Sequence, residues 1–167
     1  SLLSQLSVGL SGTTSTVLYS GRLSPSQSTI RTEELAIALA GQSRGKIGII
    51  NDTDVAQAIS SNEFQAALIR ANPGNLRAVE SRLYDVPGGI WDSTSARFAS
   101  QLSGPIVSVV PFPDLSRTWS QTELRQALNN SNITSINGIT RASLLQQYNS
   151  VAATKGVTCL LYTSDAA

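Results

Sequence analysis

The sequence contains no histidine, no methionine and a single cysteine. Without histidine, Ser-His-Asp hydrolysis and Cys-His proteolysis are excluded, as are the common zinc sites that use imidazole. A lone cysteine, Cys159, makes no internal disulfide, so no covalent framework holds the fold. Charge is sparse too: 14% of residues are charged and the net is +1, with no run of Lys or Arg. That leaves no electrostatic reason to expect a nucleic-acid partner. No apolar stretch approaches the ~20 residues a membrane-spanning helix needs, so no membrane partner is expected. With no methionine, Ser1 is expected to be a processed start or an internal point of a longer polypeptide. What is present is a 167-residue chain, 41% hydrophobic, which suits one packed domain and is too apolar to stay disordered.

The two ends read differently from the middle. Residues 1–15 are rich in Ser, Gly and Thr and are expected to be a linker or the tail of an upstream segment, although Leu2, Leu3, Leu6, Val8 and Leu10 give it material for a short strand or helix. Residues 159–167, Cys159-Leu160-Leu161-Tyr162-Thr163-Ser164-Asp165-Ala166-Ala167, look like an in-frame conceptual translation of a transposase sequencing adapter. They are therefore set aside as a cloning scar would be, and nothing after about Val157 is expected to pack. The domain is expected over residues 16–158.

Within it, strand and helix signals alternate. Thr16-Val17-Leu18-Tyr19, closed by Ser20-Gly21, predicts a first strand and a turn, with Leu23 to Ser28 as a loop. Thr32 to Ala40 predicts a helix with Glu33 and Glu34 in its first turn, where the dipole favours acids, and Gly41 as its stop. Lys46 to Ile50, apolar after its first residue, predicts a central strand, and the run Asn51 to Asp54 is expected to cap a helix reaching about Ile59. Helices follow over Glu63–Ala71 and Leu76–Tyr84, then a Pro87-Gly88-Gly89 turn. Ile90 to Leu102 predicts a helix with Trp91, Ser95, Phe98 and Leu102 on one face. Ile106–Val110 and Ile133–Ile136 predict strands, Gln121–Leu128 a short helix, and Arg141–Ser150 a last helix capped by Thr140. The alternation implies an α/β layer structure, a small and mainly parallel sheet flanked by helices.

Four motifs occur in order: Tyr19-Ser20-Gly21 after a strand; Trp91, Ser95, Phe98 and Ala99 in the pattern W-x-x-x-S-x-x-F-A, with Gly104 and Val107-Ser108-Val109 beyond it; Thr118-Trp119-Ser120-Gln121-Thr122-Glu123; and Leu128-Asn129-Asn130 with Ile133-Thr134-Ser135-Ile136. This series, spanning Val17 to Ile136, resembles the ADP-ribosyl cyclase and NAD glycohydrolase family, in the compact bacterial form found as the C-terminal toxin domain of polymorphic toxins.

The resemblance implies cleavage of the nicotinamide–ribose bond of NAD, with NAD as substrate and no cofactor or metal. It implies delivery into a target cell as part of a larger, secreted protein, and a cognate immunity protein as partner. Glu123 would be the catalytic acid, holding the ribose hydroxyls and stabilising or trapping the cation. Trp91 and Trp119 would wall the nicotinamide, and Thr118 opens the Glu123 motif. Ser95 would bond a phosphate or ribose oxygen, and Ser20, Gly21 and Arg22 would supply donors to the pyrophosphate. Tyr19 stands where animal cyclases have Trp, and Asn51 where many members carry a strand-end acid, so hydrolysis is expected over cyclisation. Each of these residues has an ordinary reading beside that one: Glu123 as a first-turn helix acid, the Trp residues as core, Ser95 as a structural helix Ser, Arg22 as a solvated turn residue, Asn51 as a helix cap.

Two other functions fit parts of the pattern. Arg22, Ser93-Thr94-Ser95 and Gln121-Thr122-Glu123 match the elements of Arg, Ser-Thr-Ser, Gln-x-Glu mono-ADP-ribosyltransferases, in order. The Ser/Thr-rich, low-charge composition also fits a non-enzymatic secreted adhesion module, which gives no reason for Glu123, Trp91 and Trp119 to converge.

Overall fold

The computed structural model describes residues 2–10, 12–20, 22–24, 27–110 and 122–156, with backbone only for Leu2, residues 22–24 and 27–30, and Lys155. The expectation that the tail after Val157 does not pack lies outside the described residues. Among them the chain is α/β, with a five-stranded, mostly parallel sheet and seven α-helices.

Strand β1 (Ser15–Tyr19) has four non-glycine residues in a row with β-branched, aliphatic or aromatic side chains, and both its faces are covered. Val17 packs with Ala36 and Ile49, whereas Leu18 points the other way, into a cluster with Phe98, Ile106, Leu128 and Ile133. That two-sided burial is why the strand lacks polar alternation. β1 lies between β4 (Ile47–Gly48) and β5 (Gly104–Val109), parallel to both. β5 pairs in parallel with β6 (Ile133–Ile136), which turns back into antiparallel β7 (Ile139–Thr140) through Asn137 and Gly138, both at positive φ. Asn-Gly at such a position makes a tight hairpin turn without strain on a β-branched residue.

Helix α1 (Thr32–Gln42) covers one face of β1, and α5 (Ile90–Gln101), α6 (Leu124–Asn129) and α7 (Arg141–Lys155) supply the cluster on the other. α2 (Asp54–Ile59), α3 (Asn62–Ala71) and α4 (Leu76–Tyr84) bury a separate core of Val55, Ile59, Leu68, Val79 and Leu83.

Several expectations are corrected. The segment 23–28 holds parts of an antiparallel pair, β2 (Arg22–Ser24) and β3 (Gln27–Arg31), rather than a plain loop. Gly41 lies inside α1, which runs one residue further and closes on Ser43. The apolar run 46–50 is not a central strand. β4 has two residues at the sheet edge, and Ile49 and Ile50 are apolar because they enter opposite cores where the chain turns. The Ser/Gly/Thr-rich start, expected as a linker, packs on the domain. Its 3-10 turn Leu2–Gln5 leads Leu3, Leu6 and Val8 against the α2–α4 core, and Val8 and Leu10 against the sheet cluster. Arg97 holds it by donating to the carbonyls of Leu3 and Leu6.

Candidate active site

The strand order decides where a site can form. The chain leaves β1 for β4 on one side and later returns to β5 on the other, so the order reverses between β1 and β5. In open α/β sheets the crevice at the carboxyl ends of the strands flanking such a reversal is where ligands bind. Tyr19 ends β1 there, and Ser20 follows, its N–H donating to the Val109 carbonyl of β5. α5 runs down to the start of β5, so its first turn stands at this same end. α6 follows β5 and starts there too. Asn130, just past α6, donates to the carbonyls of Ala99, Ser100 and Leu102 at the far end of α5, which fixes the two helices side by side in the same direction.

The result is a pair of buried carboxyl groups at two helix starts. Asp92, in the first turn of α5, and Glu123, the residue before α6, are each only 7% exposed. Asp92 accepts from the Gly88 N–H at 3.0 Å and from the Thr122 hydroxyl. Glu123 caps no helix N–H. Burial, then the neighbouring Asp92 carboxylate, push the Glu123 carboxyl up to about 8. Both causes penalise its charged form, so the proton of the pair resides on Glu123. Asp92 keeps the two donors and the helix dipole.

A second polar group lies next to the first. The Tyr19 hydroxyl is 2.6 Å from Asn51 Oδ1 and 3.1 Å from Glu33 Oε2, and Asn51 Nδ2 donates to the same Glu33 oxygen at 3.2 Å. Burial, then Glu33, raise the Tyr19 phenol well above its ordinary range, and the Glu123 charge adds to that shift, so Tyr19 and Glu123 belong to one electrostatic neighbourhood. Asn51 thus stands beside Tyr19 at the end of β1 and is not the helix cap. It lies in a 3-10 turn (Ile50–Asp52), and Thr53 caps α2 by accepting from the Ala56 N–H. Both readings of the 51–54 run were available in the sequence, and the cap falls on Thr53 because its side chain is the one that reaches the third helical N–H.

The remaining expected site residues divide three ways. Ser95 is buried on α5, one turn beyond Asp92. Trp91 is half-buried and packs against the α2–α4 core. Arg22 opens β2, and its side chain is not described; Gly21, Thr118 and Trp119 lie outside the described residues. Ser93-Thr94-Ser95 falls within helix α5, whereas the transferase pattern needs it at a strand start.

No family model matches the chain, and neither a curated protein nor a solved structure matches it. Among the described residues no helix is long and apolar enough to cross a membrane, and no group of His, Cys, Asp and Glu has the arrangement of a metal site.

Glu33 and Asp92 are the functional candidates that the sequence reading passed over. Each is a first-turn helix acid, a position so ordinary that nothing local distinguishes it. The one clue for Asp92 is its place three residues after Pro87-Gly88-Gly89, where a tight turn brings the Gly88 N–H within reach of the first helical turn.

Proposed function

We propose that the protein is an NAD glycohydrolase that releases nicotinamide and ADP-ribose. The observation that carries this reading is the buried Asp92–Glu123 pair at the carboxyl ends of β1 and β5. Such a pair, short of one positive charge, suits a ligand whose reacting centre is cationic. In NAD the pyridinium is that cation. Heterolysis of its C–N bond sends the electron pair to the ring nitrogen, nicotinamide leaves neutral, and the positive charge moves onto the ribosyl carbon. A carboxylate already fixed at that place stabilises the charge without reorganising, and water then captures the carbon and gives up a proton.

A cation entering beside Glu123 favours its charged form and so draws off the proton that the empty site holds. Tyr19 and Asn51, tied to Glu33, give the neighbouring wall hydrogen-bonding character. With few aromatic residues in the chain, 5% in all, the reading favours capture by water over capture by the adenine ring, which needs a closed aromatic pocket. On this reading the chain is an effector domain delivered to a target cell and restrained in its producer by an immunity protein.

The test is incubation of the purified protein with NAD and chromatographic separation of the products. ADP-ribose and nicotinamide in equal amounts are expected, and Glu123→Gln lowers the rate about a hundredfold or more, from loss of on the order of 3 kcal/mol of charge stabilisation. Cyclic ADP-ribose as the main product overturns the hydrolytic assignment. Undiminished turnover in Glu123→Gln overturns the mechanism. The free enzyme must lose the Glu123 proton to work, so kcat/KM rises with pH to a plateau above about 8. A profile flat from pH 5 to 9 contradicts the role given to Glu123.

A further inference from the structure

Asp92 has no counterpart in the motif series that led to Glu123, yet both of its carboxylate oxygens are held. Its carboxylate is buried. One oxygen accepts from the Gly88 N–H, and the other from the hydroxyl of Thr122. Thr122 is the residue before Glu123, and both have the wide-turned backbone of a π-helix leading into α6. The Gly88 N–H is itself held in place. Gly88 has φ +99, and Gly89 lies so close to Asp85 that a Cβ on it meets backbone atoms at 2.6 Å. The turn 85–89, the first turn of α5 and the turn ahead of α6 are thus joined at one carboxylate.

We propose that Asp92 is the positioning residue of this site: it latches the Thr122–Glu123 turn onto the start of α5 and so fixes where the Glu123 carboxyl sits. Both partners donate to the carboxylate, one to each oxygen, and the charge strengthens both bonds. Asparagine keeps the Gly88 bond through its oxygen and meets the Thr122 hydroxyl only by turning it into an acceptor, so it loses the charge and holds the turn by weaker, neutral contacts. A hydrophobic residue at 92 leaves the part-buried Gly88 N–H and Thr122 hydroxyl without this acceptor. The charge of Asp92 adds a second effect, since it disfavours a second negative charge at Glu123. Among the described residues the ionisable groups acting there are Asp92 from α5 and Tyr19 from β1.

The effect on turnover rests on the NAD glycohydrolase reading, whereas the latch does not. The experiment therefore follows the Glu123 carboxyl directly, by carbon-13 NMR titration of full-length protein labelled at glutamate side chains, with Glu123→Gln assigning the signal. Asp92→Asn and Thr122→Val are compared with Thr122→Ser, which keeps the hydroxyl. The Glu123 midpoint is expected to fall by about one pH unit or more in Asp92→Asn and in Thr122→Val, and to stay at the wild-type value in Thr122→Ser. In the NAD assay, Asp92→Asn and Thr122→Val lower kcat about tenfold or more with KM changed less than about threefold, and Thr122→Ser restores it. If wild-type protein does not cleave NAD, the function assigned above fails, but the titration still judges the latch. An unchanged Glu123 midpoint in Thr122→Val overturns the proposal even where Asp92→Asn shifts it through lost charge, as does a Thr122→Ser protein that behaves like Thr122→Val.

Discussion

On the proposed function, Glu123 pairs a chemical use with a cost to stability. Its carboxyl is raised to about 8 in the folded protein against an ordinary value of 4.5. Between those two values the folded chain keeps a proton that the unfolded chain has released. Folding stability from this group is therefore complete below about pH 4.5 and is lost as pH rises through about 8. The size of the loss is on the order of a few kcal/mol. Glutamine has no charge to bury, so Glu123→Gln is expected to melt near the wild-type temperature at pH 5 and clearly above it at pH 9. Thermal denaturation at both pH values checks this, and an equal melting difference at the two would show that the group is not protonated in the folded state. On the proposed function the same substitution lowers turnover about a hundredfold and strengthens the fold at high pH, the trade expected where a site holds a group that the fold alone would reject.

Helix starts and ends do the positioning. α5 begins on Gly89, whose closeness to the Asp85 backbone excludes any side chain. Gly89→Ala must open the turn 85–89, which also carries the Gly88 N–H to Asp92. It is expected to cost about 1–3 kcal/mol and to lower turnover with it, measured by urea unfolding beside the NAD assay. Thr53→Ala makes the contrast. It removes the α2 cap and the buried hydroxyl bond to Ile50, so about 1–2 kcal/mol is lost, yet it touches neither carboxyl of the pair. Its turnover should stay at the wild-type value under conditions where the protein is folded. A Thr53→Ala protein as inactive as Gly89→Ala means that general loosening, not the geometry of the α5 start, sets activity. At the opposite end Asn130 spans the carbonyls of Ala99 and Ser100 in α5 and of Leu102 just past it, so α5 and α6 cannot slide past one another without breaking those bonds.

Across the whole molecule the N-terminal segment joins the two cores. Leu3 and Leu6 pack on the α2–α4 cluster, Leu10 on the sheet cluster, and Val8 on both. The segment is tied to α5 through Arg97 and to α2 through the Val55 N–H, which donates to the Ser7 carbonyl. Arg97→Ala removes two charge-assisted hydrogen bonds, together worth about 2–4 kcal/mol when both are made. Loss of the clamp is expected to speed hydrogen exchange at the Val55 amide more than at amides of β5. Uniform acceleration at both would instead indicate global destabilisation, and no change at Val55 would show that the apolar contacts hold the segment unaided.

Where local chemistry sufficed, the sequence was enough. The β-branched run of β1, the Thr140 cap of α7, the Asn-Pro-Gly stop of α3, and the strand β6 are each set by neighbours in the chain, and each appears within a residue or two of its expected place. The α/β class followed from their alternation. The resemblance also drew attention to Glu123 and to Tyr19 and Asn51, which the fold brings to one end of the sheet. Other features depended on contacts between distant residues, which no local pattern encodes. An apolar run reads the same whether it is a central strand or a turn between two cores, and what decides β4 is that Ile49 and Ile50 enter opposite clusters. Leucines among serines read as a linker, and it is Arg97, some ninety residues away, that holds their carbonyls to the domain. An acid in a first helical turn looks solvated in any sequence. Only the parallel alignment of α5 and α6 brings Asp92 and Glu123 together out of water, and it is burial beside another carboxylate that changes what a carboxyl group can do.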